Sequence, residues 1–528
     1  MRVPGIPALL RLWRLIPALF LLASCTSINP DTVRPISQTF INPADTPLGQ
    51  WYPRLAAPDT RQSAFTPINT GRDALAARLA LIDQADKTLD MQYYMLRDDS
   101  STQLLIHHLL LAADRGVRIR LLIDDIYGLK RDYLLATLSA HPRIEIRVFN
   151  PFLARGRSNP LRVFEFIYKS SLNKRMHNKL LVADNAAMIV GGRNLGNEYF
   201  ESEAETAFTD LDVLALGPVV QQASLSFDEY WNHPLSIQVR AFQREAPSEE
   251  HLEQMRLRLQ KLMIELQKNR YPAAFTNSAF AAGIRAHALP FSFGEARLLY
   301  DRPQKVREEG RTLDKGIFMA ADLYPEINKA RKEVLLVSPY FVPGPRFRRL
   351  LVSLTSRGVR VRILTNSLAA TDVPFVHGAY ARWRAELLRR GVEFYELRPL
   401  RKQPLPSFRL IGSSQSSLHA KAFIVDRRVV FIGSMNLDQR SFYLNTETGL
   451  LVESPDLAME LNASFERLLR PDLSYQVFNN PEAEDNQALV WWGEEQGKST
   501  VSNQEPGAGI WRRMKAGLFG KLVPDRML

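Results

Sequence analysis

The chain writes one pattern twice. His177-Asn-Lys179 runs on to Asp184 and to Gly191-Gly192-Arg193-Asn194, and His419-Ala-Lys421 runs on to Asp426 and to Gly433-Ser434-Met435-Asn436. In both copies Lys follows His by two positions, Asp by seven and Asn by seventeen. The two copies lie 242 positions apart, as do Arg115-Gly-Val-Arg-Ile-Arg120 and Arg357-Gly-Val-Arg-Val-Arg362. A single offset shared by separate segments indicates a duplicated domain, because a stray motif would not preserve the length of chain before it.

Each copy predicts two strands. The residues between His and Asp are apolar (Leu180-Leu181-Val182 and Ala422 to Val425), and positions two apart on a strand share a face, so His and Lys project together. A second apolar run, 186–190 or 429–432, ends in small residues. Glycine there, with Gly192 and Ser434 as the second member of each pair, lets backbone amides approach an oxyanion, and Asn194 or Asn436 adds a side-chain donor.

Two such halves facing each other put two imidazoles around one phosphate. One attacks phosphorus and the other protonates the leaving oxygen. Lys179, Lys421, Asn194 and Asn436 are expected to hold the non-bridging oxygens, where charge builds in the transition state. This chemistry needs no metal and no other cofactor, and no cluster with metal-ligand spacing stands out.

Around the motifs the elements alternate. Helix 73–84, strand 89–94, helix 103–113 and strand 117–123 in the first half recur as helix 322–330, strand 333–338, helix 346–356 and strand 359–364 in the second. That order predicts an α/β fold with parallel crossover units. The first half is placed at 61–240 and the second at 291–478, and a helical connector at 241–290 carries Leu252, Met255, Leu259, Leu262, Met263 and Leu266 at helical spacing. Packing against the halves is the simpler role for that helix, and membrane or partner contact the alternative.

The ends carry a different message. Arg2, Arg11 and Arg14 precede the apolar run Leu15 to Ala23, and Leu22-Ala23-Ser24-Cys25 follows; this reads as a signal peptide over 1–24, too short for a mature membrane span. Its last residues resemble the lipobox of bacterial lipoproteins, in which the cysteine is acylated. Cys25 is the single cysteine, so no intramolecular disulfide forms. Residues 25–60, rich in Pro, Thr, Asn and Asp, read as a tether. Together these features predict an envelope protein held by lipid and facing the periplasm, at the inner or the outer membrane.

The formal charge of +12 falls to +9 without residues 1–24, which hold three arginines and no acid. A basic protein meets anionic lipid or nucleic acid equally well, but an exported one does not meet genomic DNA or nucleotide-activated lipids made inside the cell. Charge alone does not choose between the two; with the Cys25 anchor, phospholipid substrates and no nucleic-acid partner are the expectation, and the oligomeric state is open. The tail, 479–528, mixes Trp491, Trp492, Trp511, Leu518 and Phe519 with Arg512, Arg513, Lys515 and Lys521, which suits either an interfacial segment or a surface helix closing the second half.

The doubled H-x-K-x4-D-x6-G-[GS]-x-N pattern resembles that of the phospholipase D superfamily. The resemblance implies a duplicated phospholipase D-type α/β sandwich, with two pseudo-twofold related halves and the active site at their interface. It further implies a covalent phosphohistidine, with His177 as nucleophile and His419 as general acid and then base. It also implies a downstream carboxylate that fixes each imidazole's tautomer; Glu447 matches that place, and Asp210 is its looser counterpart. Asp184 and Asp426 are grouped with the catalytic residues as members of the motif, although each follows a strand where a carboxylate anchors a turn.

Within the superfamily, Ser338-Pro-Tyr340-Phe-Val-Pro-Gly344, Asn436-Leu-Asp-Gln-Arg-Ser441 and Arg175-Met-His177 resemble the bacterial cardiolipin synthases. That likeness implies a phosphatidyltransferase that makes cardiolipin from phosphatidylglycerol plus phosphatidylethanolamine or a second phosphatidylglycerol. A hydrolase acting on phospholipid or, further off, nucleic-acid phosphodiesters differs only in the acceptor, which pocket shape and water exclusion decide. A catalytically inert lipid-binding lipoprotein is the reading of another class, and two complete motifs speak against it. His377, after the basic strand of the second half, is either a solvated loop histidine or part of the substrate site.

Overall fold

The computed structural model describes residues 34–55, 59–126, 131–152, 170–200, 209–242, 247–268, 275, 278–307, 316–399, 417–480 and 489–522. The leader, Cys25 and the start of the expected tether lie outside the described residues.

Each half builds the same sheet. The first contributes β1 (Gln62–Ile68), β2 (Thr88–Tyr93), β3 (Arg118–Asp124), β4 (Ile144–Phe149), β5 (Lys179–Ala183), β6 (Ala187–Gly191), β7 (Asp212–Leu216) and β8 (Ser236–Gln238). The second contributes β9 (Ser292–Tyr300), β10 (Glu333–Val337), β11 (Arg360–Asn366), β12 (Val392–Leu397), β13 (Ala422–Val425), β14 (Val429–Gly433), β15 (Thr448–Glu453) and β16 (Ser474–Asn479). In the first half the order is β8-β4-β3-β2-β5-β6-β7-β1, with β2, β3 and β4 parallel and the other pairings antiparallel. The second half repeats it as β16-β12-β11-β10-β13-β14-β15-β9.

The repeated Arg-Gly-Val has a local cause. It ends the crossover helices Ser100–Asp114 and Pro345–Ser356. Gly116 and Gly358 take φ of +100° and +80°, the left-handed conformation that glycine adopts without strain. The next valine then donates its N–H to a carbonyl five residues back, Val117 to Ala112 and Val359 to Leu354, both at 3.1 Å.

The sheets join through equivalent strands. β1 pairs antiparallel with β9, from Gln62 opposite Glu295 to Phe65 opposite Ser292, which relates the halves by a pseudo-twofold. Period-two alternation then sorts the cores. Leu180 and Val182 of β5, with Ala422 and Ile424 of β13, enter one core shared by both halves. Leu181 and Ala183 enter an outer core under the first half's helices, and Phe423 and Val425 its counterpart in the second. Phe227 and Trp231 from the helix Pro218–Trp231, and Leu461 and Phe465 from Pro455–Leu468, fill the shared core. Each such side chain contributes roughly 1.5–3 kcal/mol by burial, so the halves form one structural unit.

Two segments depart from the expected boundaries. Residues 34–55 do not hang as a tether. Arg147 donates to Pro35 O (2.6 Å), Arg120 donates to Ser37 O (3.0 Å), and Asp228 accepts the Thr39 N–H (2.7 Å). Trp51 is fully buried, stacked on His287 at 4.7 Å. Arg120 and Arg147 are buried and require acceptors, which this segment supplies.

The second half also continues past 478, because β17 (Leu489–Glu495) and β18 (Lys498–Ser502) extend its sheet from β16, and the helix Ile510–Leu522 packs on the helix Pro374–Arg389. His377 is neither in a loop nor solvated: it is buried in Pro374–Arg389, with Nε2 3.2 Å from Glu505. The connector helix Glu249–Lys268 buries Leu252, Met255, Leu259 and Met263 in the first half's outer core, the packing role. No helix among the described residues is long and apolar enough to cross a membrane.

Candidate active site

The two motif histidines lie at the ends of equivalent strands, and backbone bonds lace the halves together beside them. His177 N–H donates to Thr446 O (2.8 Å) and Thr446 N–H to Arg175 O (2.9 Å); across the pseudo-twofold, His419 N–H donates to Thr209 O (2.8 Å) and Thr209 N–H to Ser417 O (2.9 Å). The residue after each threonine is an acid. Glu447 Oε2 thereby lies 2.8 Å from His177 Nδ1, and Asp210 Oδ2 lies 2.6 Å from His419 Nδ1. Each imidazole is held by the carboxylate of the opposite half. A carboxylate at Nδ1 keeps the proton there and places the lone pair on Nε2.

Burial sets the charge state. Both imidazoles are 8% exposed. Desolvation, reinforced by the Lys179 and Lys421 ammoniums and opposed by Glu447 and Asp210, pushes His177 down to about 4 and His419 down to about 3. Two neutral imidazoles thus face each other across the site at neutral pH. Burial also lowers Lys179 to about 7 and Lys421 to about 8, with the opposing acids limiting the fall. Each lysine donates to its own histidine's carbonyl, Lys179 to His177 O at 2.7 Å and Lys421 to His419 O. Lys421 acts electrostatically on His177 and Lys179 on His419, so the two lysines and the two imidazoles share one pocket. A phosphodiester anion there would raise both imidazoles toward protonation.

The small residues after β6 and β14 do something other than expected. The Gly192 amide donates to Leu211 O (3.1 Å) and the Ser434 amide to Thr448 O (2.9 Å), so sheet pairing consumes both, and neither residue is a phosphate donor. Gly192 instead makes room: a Cβ there would lie 2.1 Å from Asp210 Oδ1. Ser434 Oγ donates to Glu447 Oε2 (2.5 Å), which steadies the acid that orients His177. Asn194 and Asn436 are buried, and each keeps an unpartnered Oδ1; Asn194 Nδ2 donates to Tyr199 OH (2.9 Å).

Asp184 and Asp426 are corrected from catalytic to structural. Asp184-Asn185 and Asp426-Arg427 have positive φ between 51° and 54°, as the two central residues of a type I′ hairpin turn require. The Asp184 carboxylate accepts the N–H groups of Asp86, Lys87 and Thr88 at 2.8–2.9 Å, and Asp426 those of Arg331, Lys332 and Glu333 at 2.7–2.9 Å. Each pins the chain entering β2 or β10 to the far end of the motif strand.

Other groups around the site escaped the sequence reading. Asp301 accepts the Glu447 N–H (2.8 Å) and pairs with buried Lys305 (2.9 Å). Asp124 accepts the Met176 N–H (2.9 Å) and pairs with buried Arg175 (2.9 Å). Asn366, 242 positions after Asp124, exchanges hydrogen bonds with the backbone of Leu418, each at 2.9 Å, so the repeat offset would have revealed it. The Tyr94 ring meets His177 edge-on at 4.8 Å and Tyr199 meets His419 at 5.3 Å. Tyr340 OH donates to Asp372 (2.8 Å), whose charge reaches Lys421.

Among the described residues, His377, Glu396 and Glu505 come together as potential metal ligands, but Arg384 is already ion-paired to both carboxylates, at 2.5 and 2.7 Å.

Two imidazole–carboxylate pairs exchanged across a pseudo-twofold, on duplicated sheets, define a phospholipase D-type enzyme. A family model described as "Cardiolipin synthase, PLD-like domain" matches residues 79–231 and 323–469, and the chain belongs to that family. It is 38% identical over 470 residues to "Cardiolipin synthase C" of Escherichia coli, covering 88% of this chain and 96% of that one. An uncharacterized Helicobacter pylori protein is 31% identical over 98% of this chain and 100% of its own length. A crystal structure of phosphatidylserine synthase from Haemophilus influenzae shares the fold, with a TM-score of 0.55 at 12% identity over 91% of this chain and 99% of that one.

Proposed function

We propose that the chain joins two phospholipids into cardiolipin through a phosphatidyl-histidine intermediate. The observation that carries this reading is the pair of oppositely held imidazoles, His177 with Glu447 and His419 with Asp210. His177 Nε2 attacks the phosphorus of a bound phospholipid. The bond from phosphorus to the headgroup oxygen breaks, and the Nε2 proton of cationic His419 goes to that oxygen, releasing ethanolamine or glycerol. A phosphatidylglycerol hydroxyl then attacks the phosphohistidine and gives its proton to His419, which frees His177. Lys179, Lys421, Asn194 and Asn436 surround the phosphate, and the charge they oppose grows as each bond is made.

The 38% identity to a cardiolipin synthase over most of both chains supports the choice of phosphatidyl transfer. In this reading the protein faces the periplasm, with an acyl chain on Cys25 and the apolar leader removed. Loss of palmitate labelling in Cys25→Ser is the outcome expected.

The deciding assay supplies phosphatidylglycerol with and without phosphatidylethanolamine. Cardiolipin should accumulate; phosphatidic acid alone would make the enzyme a hydrolase. His419→Ala should trap an acid-labile, alkali-stable phosphoprotein that His177→Ala does not form, and the reverse pattern would exchange the two roles.

A further inference from the structure

The helix Ile510–Leu522 has two unlike faces. Its inner face is fixed: Arg512 donates to Leu368 O (2.6 Å) and to Thr371 O, and Ala516 packs with Ala508 and Leu368. The opposite face carries Ile510, Trp511, Met514 and Leu518, which are 65%, 73%, 57% and 60% exposed. At 3.6 residues per turn these four side chains fall within an arc of about 100°, centred away from Arg512 and Ala516, with Arg513 on one flank and Lys515 on the other. The helix contains no acid. Four large apolar side chains side by side in water are an unusual cost for a monomer surface.

The helix also adjoins the site. Its anchor, the segment 367–371, leads into Asp372, which accepts the Tyr340 hydroxyl and acts on Lys421 and Arg512. Whatever the exposed face rests on is thereby held close to the pocket that contains His419.

We propose that this face seats the enzyme on an anionic phospholipid bilayer, with Trp511, Met514 and Leu518 in the interfacial layer and Arg513 and Lys515 against the headgroup phosphates. An apolar arc flanked by cations, with tryptophan at its edge and no acid in the helix, matches the chemistry of that interface. The inference rests on the phospholipid-substrate reading for its purpose, but its binding test is independent of turnover.

The experiment uses the mature chain from residue 25 with Cys25→Ser throughout, so that neither an acyl chain nor the apolar leader contributes. Co-sedimentation is measured with phosphatidylglycerol vesicles and with phosphatidylcholine vesicles, for the parent, for Trp511→Ser/Met514→Ser/Leu518→Ser, and for Arg513→Glu/Lys515→Glu. The apolar variant should bind both vesicle types about tenfold or more weakly, and the charge variant should lose affinity for phosphatidylglycerol only. Unchanged partitioning of both variants would overturn the proposal. So would a shift from dimer to monomer in the apolar variant by analytical ultracentrifugation, which would assign the face to a second copy.

Turnover of short-chain phosphatidylglycerol dispersed below its micelle concentration should be equal in all three proteins, and turnover of vesicle lipid should fall with binding. If the parent turns over neither, the functional reading fails while the binding result still stands or falls by itself.

Discussion

Replacing Asp184 by Ala separates a motif residue's chemistry from its architecture. The carboxylate accepts three backbone N–H groups, and it is fully buried. At about 1–1.5 kcal/mol net per charge-assisted bond, their loss costs roughly 3–5 kcal/mol, and alanine at the turn's φ of +54° adds about 1 kcal/mol. Asp426 makes the same three bonds, but its carboxylate is only half-buried and its bonds to Arg331 and Lys332 lie exposed, where water substitutes, so Asp426→Ala should cost only about 2 kcal/mol. Asp184→Asn keeps an acceptor oxygen and tolerance of positive φ and should fall between them.

Urea denaturation followed by circular dichroism measures the stabilities, and turnover is normalised to the folded fraction. The expected result is a destabilised Asp184→Ala protein whose folded molecules remain active to within a few-fold. A variant as stable as the parent but inactive would show that Asp184 takes part in the reaction.

The pH profile follows from the buried cations. His177, neutral above about 4, stays nucleophilic down to that pH, while the His419 proton that the leaving oxygen needs is lost as pH rises and Lys179 at about 7 and Lys421 at about 8 lose the charges that attract phosphate, so activity should decline from neutrality upward; a flat profile to pH 10 would contradict that. Glu447→Gln removes the charge that supports the positive charge His177 gains on attacking phosphorus and should lower kcat by about 100-fold or more with little change in KM, read by steady-state kinetics. Ser434→Ala should lose only about tenfold, because Glu447 stays, while Gly192→Ala drives a methyl into Asp210 and should abolish turnover in a protein that still folds; equal effects of the two would refute their assigned roles.

The repeat made the architecture legible. A common offset fixed the duplication, and apolar alternation on β5 and β13 placed His and Lys on one face. The pairing of His177 with Glu447 was out of reach, since 270 positions separate them and the exchange between halves is purely tertiary. Gly192 and Ser434 were misread for a related reason: glycine's small volume shows in a sequence, but whether it frees an amide or admits a carboxylate depends on the strand alongside. Residues 34–55 read as a tether because their apolar groups follow no period, yet Arg120 and Arg147 needed the backbone acceptors they offer.

The exchanged carboxylates make each half an incomplete enzyme. The first half leaves the ribosome with His177 and with Asp210, an acid that serves the other half's histidine, and it has nothing to orient its own until residue 447 has been made and the β1–β9 seam has closed. Phosphoryl chemistry is therefore withheld from the nascent chain until both halves have assembled.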